Sequence, residues 1–139
     1  MNDSFSGELR LSYGDAPYDI HLEAKGIGGD VLAAVTGGTR AHIGAVALAE
    51  PAGAVHPVTG KPACCGEGRG PDGKEREPRV STLIAYGHKD AVIAEMFARG
   101  LCKKYGVNIC AAAGVHVDGA GQDEIALMIE NAERLLGMV

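Results

Sequence analysis

Residues 79–116, RVSTLIAYGHKDAVIAEMFARGLCKKYGVNICAAAGVH, decide how the chain is expected to fold. The first eight residues have the β-branched and apolar character of a strand, and a second such run begins at Val107. Between Asp90 and Gly106, apolar residues recur at the spacing of an amphipathic helix that covers a sheet. Two strands joined by a crossover helix run parallel, so their carboxyl ends should meet at one edge of the sheet.

Four further strands are predicted before this segment. GELRLSY, YDIHLEAKG and DVLAAVTGG are separated by the turn sequences GDAP and GIGG, a pattern that favours an antiparallel meander. HIGAVALAE, from His42, is apolar on both faces, which indicates a central strand that is covered on both sides. If it is antiparallel to the strand from Arg79, its beginning should lie beside the end of that strand.

The last predicted element is an amphipathic helix that begins within GAGQDE at residues 119–124. The expected fold class is therefore α+β: a mostly antiparallel sheet with two C-terminal helices covering it, in a strand-helix-strand-helix C-terminal half. A length of 139 residues, 46% of them apolar, suits a single domain spanning residues 1–139.

A long loop interrupts the pattern at about residues 50–78. Five of the six prolines lie there, together with His56 and the adjacent Cys64 and Cys65. Loops of this length are often binding loops or lids, but a passive insertion gives the same composition. The role of the loop and of its cysteines stays open at this level.

Composition narrows the classes of partner and the compartment. The net charge is −5 and Lys and Arg are not clustered, which argues against nucleic-acid and anionic-membrane surfaces. The N-terminal sequence MNDSFSGELR lacks the apolar core of a signal peptide, and no run approaches membrane-spanning length, so a cytoplasmic protein is expected. The four cysteines show no zinc-clamp spacing and are expected to be reduced.

Three histidines are predicted to converge at one edge of the sheet. His88 follows one strand and precedes a helix, His116 and Asp118 repeat that arrangement, and His42 begins the neighbouring strand. Histidine with carboxylate suits a divalent transition metal such as Mn, Zn or Fe. Each histidine taken singly is equally well explained as an ordinary loop residue, and Asp90 as a plain N-cap.

The same edge is suited to an anionic ligand. Uncapped N–H groups at the starts of both helices favour a phosphate, and Arg40 and Lys89 flank His42 and His88. Gly44 and Gly114, beside the histidines, would let a ligand approach the backbone. Arg40 and Lys89 are equally consistent with solvated surface cations.

GGTRAHIGAVALAEP, YGHKDAVIAEMFARGLCKKYGVNICAAAGVHVDGAGQDEI and NAERLL together resemble the LpdD-like prenylated-flavin chaperones, the small D subunits that accompany gallate and hydroxyarylic-acid decarboxylases. The resemblance covers most of the chain apart from the loop. It implies a non-catalytic homo-oligomer that binds prenylated FMN, or FMN, for a UbiD-type decarboxylase, with a flavin prenyltransferase as a further partner. Carried onto this sequence, it implies no catalytic residue and a site formed by His42, His88, His116 and Asp118, with a metal that bridges to the flavin phosphate. The spacing of the residues assigns the metal to these four side chains. Their surroundings assign cofactor contacts to Arg40, Gly44, His88, Lys89, Gly114 and Asp118.

Two other functions fit the same residues. A small metal-dependent hydrolase would use metal-bound water with Asp118 or Asp90 as general base. A purely structural decarboxylase subunit would bind neither metal nor flavin.

Overall fold

The computed structural model of the protein describes residues 4–53, 72–74, 76–85 and 89–139. They form an α+β fold, as the sequence predicts. The loop prediction for residues 50–78 falls for the most part outside the described residues, and so does His88. The elements are β1 (Glu8–Tyr13), β2 (Ile20–Ile27), β3 (Asp30–Gly38), β4 (Ala45–Glu50), β5 (Arg79–Ile84), α1 (Ala91–Tyr105), β6 (Ile109–His116) and α2 (Gln122–Leu136).

The first three strands form the predicted antiparallel meander. β1 pairs with β2 and β2 pairs with β3 in consecutive antiparallel ladders. The turn between β2 and β3 contains Gly28 at φ 58°, a left-handed backbone conformation that residues other than glycine rarely adopt. The last two glycines of GIGG therefore form the tight turn that the sequence predicts.

The sheet is mixed, and the expectation of a mostly antiparallel sheet is wrong. The strand order is β1-β2-β3-β6-β4-β5, and β6 is parallel to β3 but antiparallel to β4. The reason is the crossover through α1, which carries the chain from β5 past β4 and returns β6 beside β3. β5 and β6 run in the same direction, since both are antiparallel to the strand between them.

One cluster of buried side chains joins the helices to the sheet. α1 contacts β4, β5 and β6, whereas α2 contacts β1 and β2. Alternate residues of β4, among them Ala45 and Ala47, are buried and small, which lets α1 approach the sheet closely. The largest fully buried side chains are Phe97, Ile20, Leu22, Leu101, Ile109, Leu135, Val35 and Cys102.

The opposite face of the central strands is exposed. The sequence predicts that β4 is covered on both sides, but Leu48 is 42% exposed. The prediction is wrong because both helices pack on the same side of the sheet, in one cluster with the buried strand residues. None of the described residues covers the other side.

Cys102 is buried and Cys110 partly buried, and both are free thiols, as expected; Cys64 and Cys65 lie outside the described residues. Within the described parts of the chain, no helix has the length and apolar character needed to cross a membrane.

Candidate functional site

The segment that carries His42 lies directly against β6. The N–H of Gly44 donates to the carbonyl of Ala113 at 2.8 Å. A Cβ atom at Gly114 would lie 1.7 Å from the carbonyl oxygen of His42, so only glycine permits this approach. Gly114 therefore has a backbone role in placing His42, and direct contact of Gly44 and Gly114 with a cofactor stays a prediction.

A buried carboxylate connects the segment before β4 with the end of β6. Asp90 is 6% exposed; its Oδ2 lies 3.1 Å from Nε2 of His42, and its Oδ1 accepts the N–H of Val115 at 2.9 Å. Asp90 occupies the N-cap position of α1, but its side chain makes no capping hydrogen bond. The interpretation of Asp90 as a plain N-cap is thus wrong, because its carboxylate serves His42 and β6 instead.

His42 has an oxygen acceptor near each ring nitrogen. Nδ1 lies 3.2 Å from the carbonyl oxygen of Arg40, and Nε2 faces Asp90. The ring is therefore fixed in orientation by the backbone on one side and by a buried carboxylate on the other. A metal ion can bind His42 only if one of these contacts is exchanged.

His116 and Asp118 form a second pair beside the first. Nε2 of His116 lies 2.7 Å from Oδ1 of Asp118, and Arg40 donates to the same oxygen at 3.3 Å. The hydrogen bond with His116, followed by the positive charge of Arg40, lowers the pKa of the fully exposed Asp118 carboxyl below its ordinary value. The His42 and His116 rings meet edge to face, with centroids 6.0 Å apart.

The structure thus brings together four of the predicted residues: Arg40, His42, His116 and Asp118. The predicted ligand His88 lies outside the described residues, although its neighbour Lys89 borders the same place. Among the described residues, no three His, Cys, Asp or Glu side chains are grouped so as to hold a metal ion. The four-residue metal set stays a prediction.

A cavity of about 500 Å³ opens between the helices next to these side chains. This volume is within the range of small-molecule sites, about 300–1,000 Å³. Polar groups line one end and aliphatic side chains from both helices line the rest. The lining residues are His42, Lys89, Asp90, Val92, Ile93, Val115, His116, Val117, Gly119, Ala120, Ile125, Met128 and Ile129.

The two helix starts differ in their suitability for an anion. α1 begins at Ala91 without a side-chain cap and without an acid in its first turn. α2 begins at Gln122, where the carboxylate of Glu124 accepts the N–H of Gly121, and Asp123 adds a second negative charge. One N–H at the start of α2, that of Gly121, is therefore occupied, and the two acids there make an anion more favourable at the start of α1.

Sequence reasoning missed two features of this site. The contact of Asp90 with His42 joins residues 48 positions apart and has no local signature. The apolar lining follows the same helical periodicity that predicts a core-facing side: Ile125 of α2 follows it but is 42% exposed at the cavity. Val92 of α1 follows it too and is 55% exposed at the same cavity.

Comparison with known proteins gives one family and a shared fold. The family model described as the prenylated flavin chaperone LpdD-like domain matches residues 14–139. Among solved structures, a chain from the crystal structure of a novel chaperone complex for yeast 20S proteasome assembly is similar, with a TM-score of 0.51 over 94% of this chain and 92% of that chain. Its sequence identity is 10%, so the likeness concerns the fold alone. Among curated proteins, none matches the sequence.

Proposed function

Because the chain belongs to the LpdD-like family of prenylated flavin chaperones, we propose that the cavity between α1 and α2 holds prenylated FMN for delivery to a UbiD-type decarboxylase. The protein itself carries out no reaction on the cofactor. A flavin prenyltransferase is the proposed source of the loaded flavin, and the decarboxylase is its acceptor.

One observation carries this proposal: the cavity combines a polar end with an apolar remainder. A prenylated flavin has the same division, since its phosphate is anionic whereas its extended ring system is largely apolar. Val92, Ile125 and Ile129 offer aliphatic surface from two helices. His116 and Lys89 border the polar end. The match in chemical character supports a flavin nucleotide over a wholly polar ligand such as a sugar phosphate.

The phosphate is proposed to lie at the start of α1. The first turn of that helix has neither a side-chain cap nor an acidic residue. The N-cap Asp90 is acidic, but its carboxylate is engaged by His42 and the Val115 N–H, and Lys89 directly precedes it. Arg40 already pairs with Asp118 and so contributes less net charge. Helix N–H groups together with one lysine give the phosphate both hydrogen-bond donors and positive charge.

A metal ion is proposed to reinforce this end, held by His42, His88, His116 and Asp118. His116 and Asp118 lie on the open side of the site, and the His42 ring is close to His116. Imidazole and carboxylate suit Mn, Zn or Fe equally. When bound, the ion would supply positive charge to the flavin phosphate. The hydrogen bond of Asp90 would then orient His42 in the way that outer carboxylates orient metal-binding histidines.

The alternative of a metal-dependent hydrolase is less well supported. Both oxygens of Asp90 already accept hydrogen bonds, from His42 and from the Val115 N–H. The lowered pKa of Asp118 makes that carboxylate a weaker base. Neither acid is therefore well placed to activate water, whereas both arrangements are compatible with a binding site.

The proposal is tested by anaerobic incubation with freshly made prenylated FMN, followed by gel filtration and an absorption spectrum. We expect flavin to coelute with the protein and to activate an apo-decarboxylase when the two are mixed. His116→Ala should reduce retention, and chelation should do so if a metal takes part. Absence of coeluting flavin would contradict the proposal, and turnover of esters or phosphates without flavin would favour the hydrolase.

A further inference from the structure

The side of the sheet that is not part of the core cluster carries an apolar platform four strands wide. Alternation places one side chain from each of β3, β6, β4 and β5 in every row across this face. Leu32, Leu48 and Leu83 are 43%, 42% and 78% exposed. Exposed apolar areas of a few hundred Å² are often functional. We propose that this platform is the docking surface for a second copy of the chain, in a symmetric face-to-face dimer.

The register gives the reason for choosing a second copy as the partner. One row across β3, β6, β4 and β5 reads Leu32, Cys110, Leu48, Ser81. The next row reads Ala34, Ala112, Val46, Leu83. A two-fold axis that runs parallel to the strands between β6 and β4 places β3 over β5 of the second copy, and β6 over its β4.

Every resulting pair then combines a larger with a smaller side chain. Leu32 faces Ser81, Leu48 faces Cys110, Leu83 faces Ala34, and Val46 faces Ala112, each residue meeting its partner on the other copy. Two sheets pack closely when large side chains interdigitate with small ones across the interface. The platform is therefore complementary in size to its own copy.

Charge at the border of the platform is complementary under the same symmetry. The row below the platform has Asp30 on β3, Glu50 on β4 and, beside Glu50, Arg79 on β5. Asp30 and Arg79 are exposed, and Oδ1 of Asp30 accepts the N–H of Asn108 within its own chain. Because β3 lies over β5 of the second copy, each Asp30 meets Arg79 of the other chain. The charged side chains of β1 and β2, such as Arg10 and Glu23, remain outside the overlap, where water can solvate them.

The size of the platform predicts a reversible dimer. Four strands at about 4.8 Å spacing, over the two apolar rows and the charged row below them, give roughly 400 Å² on each copy. The area buried on both copies together, roughly 800 Å², is below the 1,200–2,000 Å² of typical stable interfaces and in the range of weaker complexes. We therefore expect monomer and dimer to exchange, with the dimer fraction rising across about 1–500 µM protein.

Sedimentation equilibrium of the full chain measures this directly. Wild-type mass should rise from 14.3 kDa towards twice that value with concentration. Leu48→Arg should hold the protein at the monomer mass with an unchanged circular dichroism spectrum, because Leu48 is already exposed in one chain. Met138→Arg, at an exposed apolar residue that follows α2, is the matched control and should dimerise as the wild type does.

A charge exchange tests the proposed symmetry. Asp30→Arg and Arg79→Asp should each weaken the dimer about tenfold, and the double variant should recover most of that loss. Wild-type protein that remains monomeric at the highest concentration would overturn the proposal. If Cys110 were nevertheless protected from a thiol reagent in that monomer, another part of the chain or another protein would cover the platform. A double variant no better than the single ones would overturn the two-fold arrangement.

Discussion

Asp90 and His42 are 48 residues apart in sequence and lie 3.1 Å apart between Oδ2 and Nε2, with the carboxylate almost fully buried. The second oxygen of Asp90 accepts the N–H of Val115. A single side chain thus joins the start of α1, the segment before β4 and the end of β6. Its removal should affect both the stability of the fold and the orientation of the histidine.

Asp90→Asn should lower the free energy of unfolding by about 1–3 kcal/mol, because a hydrogen bond to a buried carboxylate is replaced by one to a neutral amide. It should also weaken flavin binding, since His42 loses the group that orients it. Urea denaturation and a flavin titration measure the two effects. Asp15→Asn, at an exposed aspartate, is the control, and equal behaviour of the two variants would contradict the role of Asp90.

Gly114→Ala should destabilise the protein by roughly 2–3 kcal/mol or more, since its Cβ would collide with the carbonyl oxygen of His42 and neither backbone can move freely. Gly29→Ala is the matched control, because a Cβ there meets no atom within 4 Å. Thermal unfolding followed by circular dichroism compares them. An unaltered midpoint for Gly114→Ala would show that the His42 segment and β6 are farther apart than described.

Lys89→Ala should reduce affinity for FMN by about tenfold while leaving the weaker binding of riboflavin unchanged, because only FMN has a phosphate to contact the lysine. Isothermal titration with both ligands at one ionic strength separates the two cases. Lys25→Ala, on the open face of the sheet, should change neither affinity. A parallel loss for FMN and riboflavin would place the phosphate elsewhere.

Ile125→Ala should reduce the preference for prenylated FMN over FMN by about fivefold, because truncation removes roughly 40 Å² of apolar contact with the prenyl-derived part of the cofactor, worth about 1 kcal/mol. Leu127→Ala is a close control: it lies on the same helix with almost the same exposure, 40% against 42%, but lines a different cavity. The ratio of the two dissociation constants is the measured quantity. If both variants shift that ratio alike, the prenyl-derived part of the cofactor does not lie against α2 at Ile125.

Burial, followed by the nearby negative charge of Glu50, raises the pKa of the Cys102 thiol from 9.0 to about 11. Below pH 9 the thiol is neutral in both folded and unfolded chains. Between pH 9 and 11 only the unfolded chain ionises, so stability should fall over this window by an amount on the order of 2 kcal/mol. Cys102→Ala should flatten that part of the pH profile measured by urea denaturation. Identical slopes for the two proteins would refute the shift.

Local patterns were sufficient to predict the strands and helices, since each depends on nearby residues such as Gly28 in its turn or Gly106 after α1. The same local patterns were not sufficient to predict the order of the strands in the sheet. Nothing within β6 specifies that it enters between β3 and β4, because a buried strand of Ile109, Ala111 and Ala113 suits any interior position.

Part of the candidate site could likewise be predicted from the sequence, and part could not. His42 and His116 were predicted as neighbours because both lie at strand ends, which is a matter of topology. The contact of Asp90 with His42 was not predicted, because periodicity indicates that Asp90 precedes a helix but not where its carboxylate points. The exposure of Leu48 was missed for a related reason: an apolar residue on a strand is equally suited to a core and to an interface with another chain.

The place of β6 between β3 and β4 also affects the chain during its synthesis. When the ribosome has released only the first hundred or so residues, β3 and β4 exist as sequences but each lacks its inner neighbour, and the nascent chain has two unpaired strand edges. The central ladders close only after residues 109–116 have emerged. We therefore expect the protein to fold slowly for its size, because its central pairings join distant parts of the chain. Fragments truncated before Ile109 should aggregate rather than form a partial ligand site.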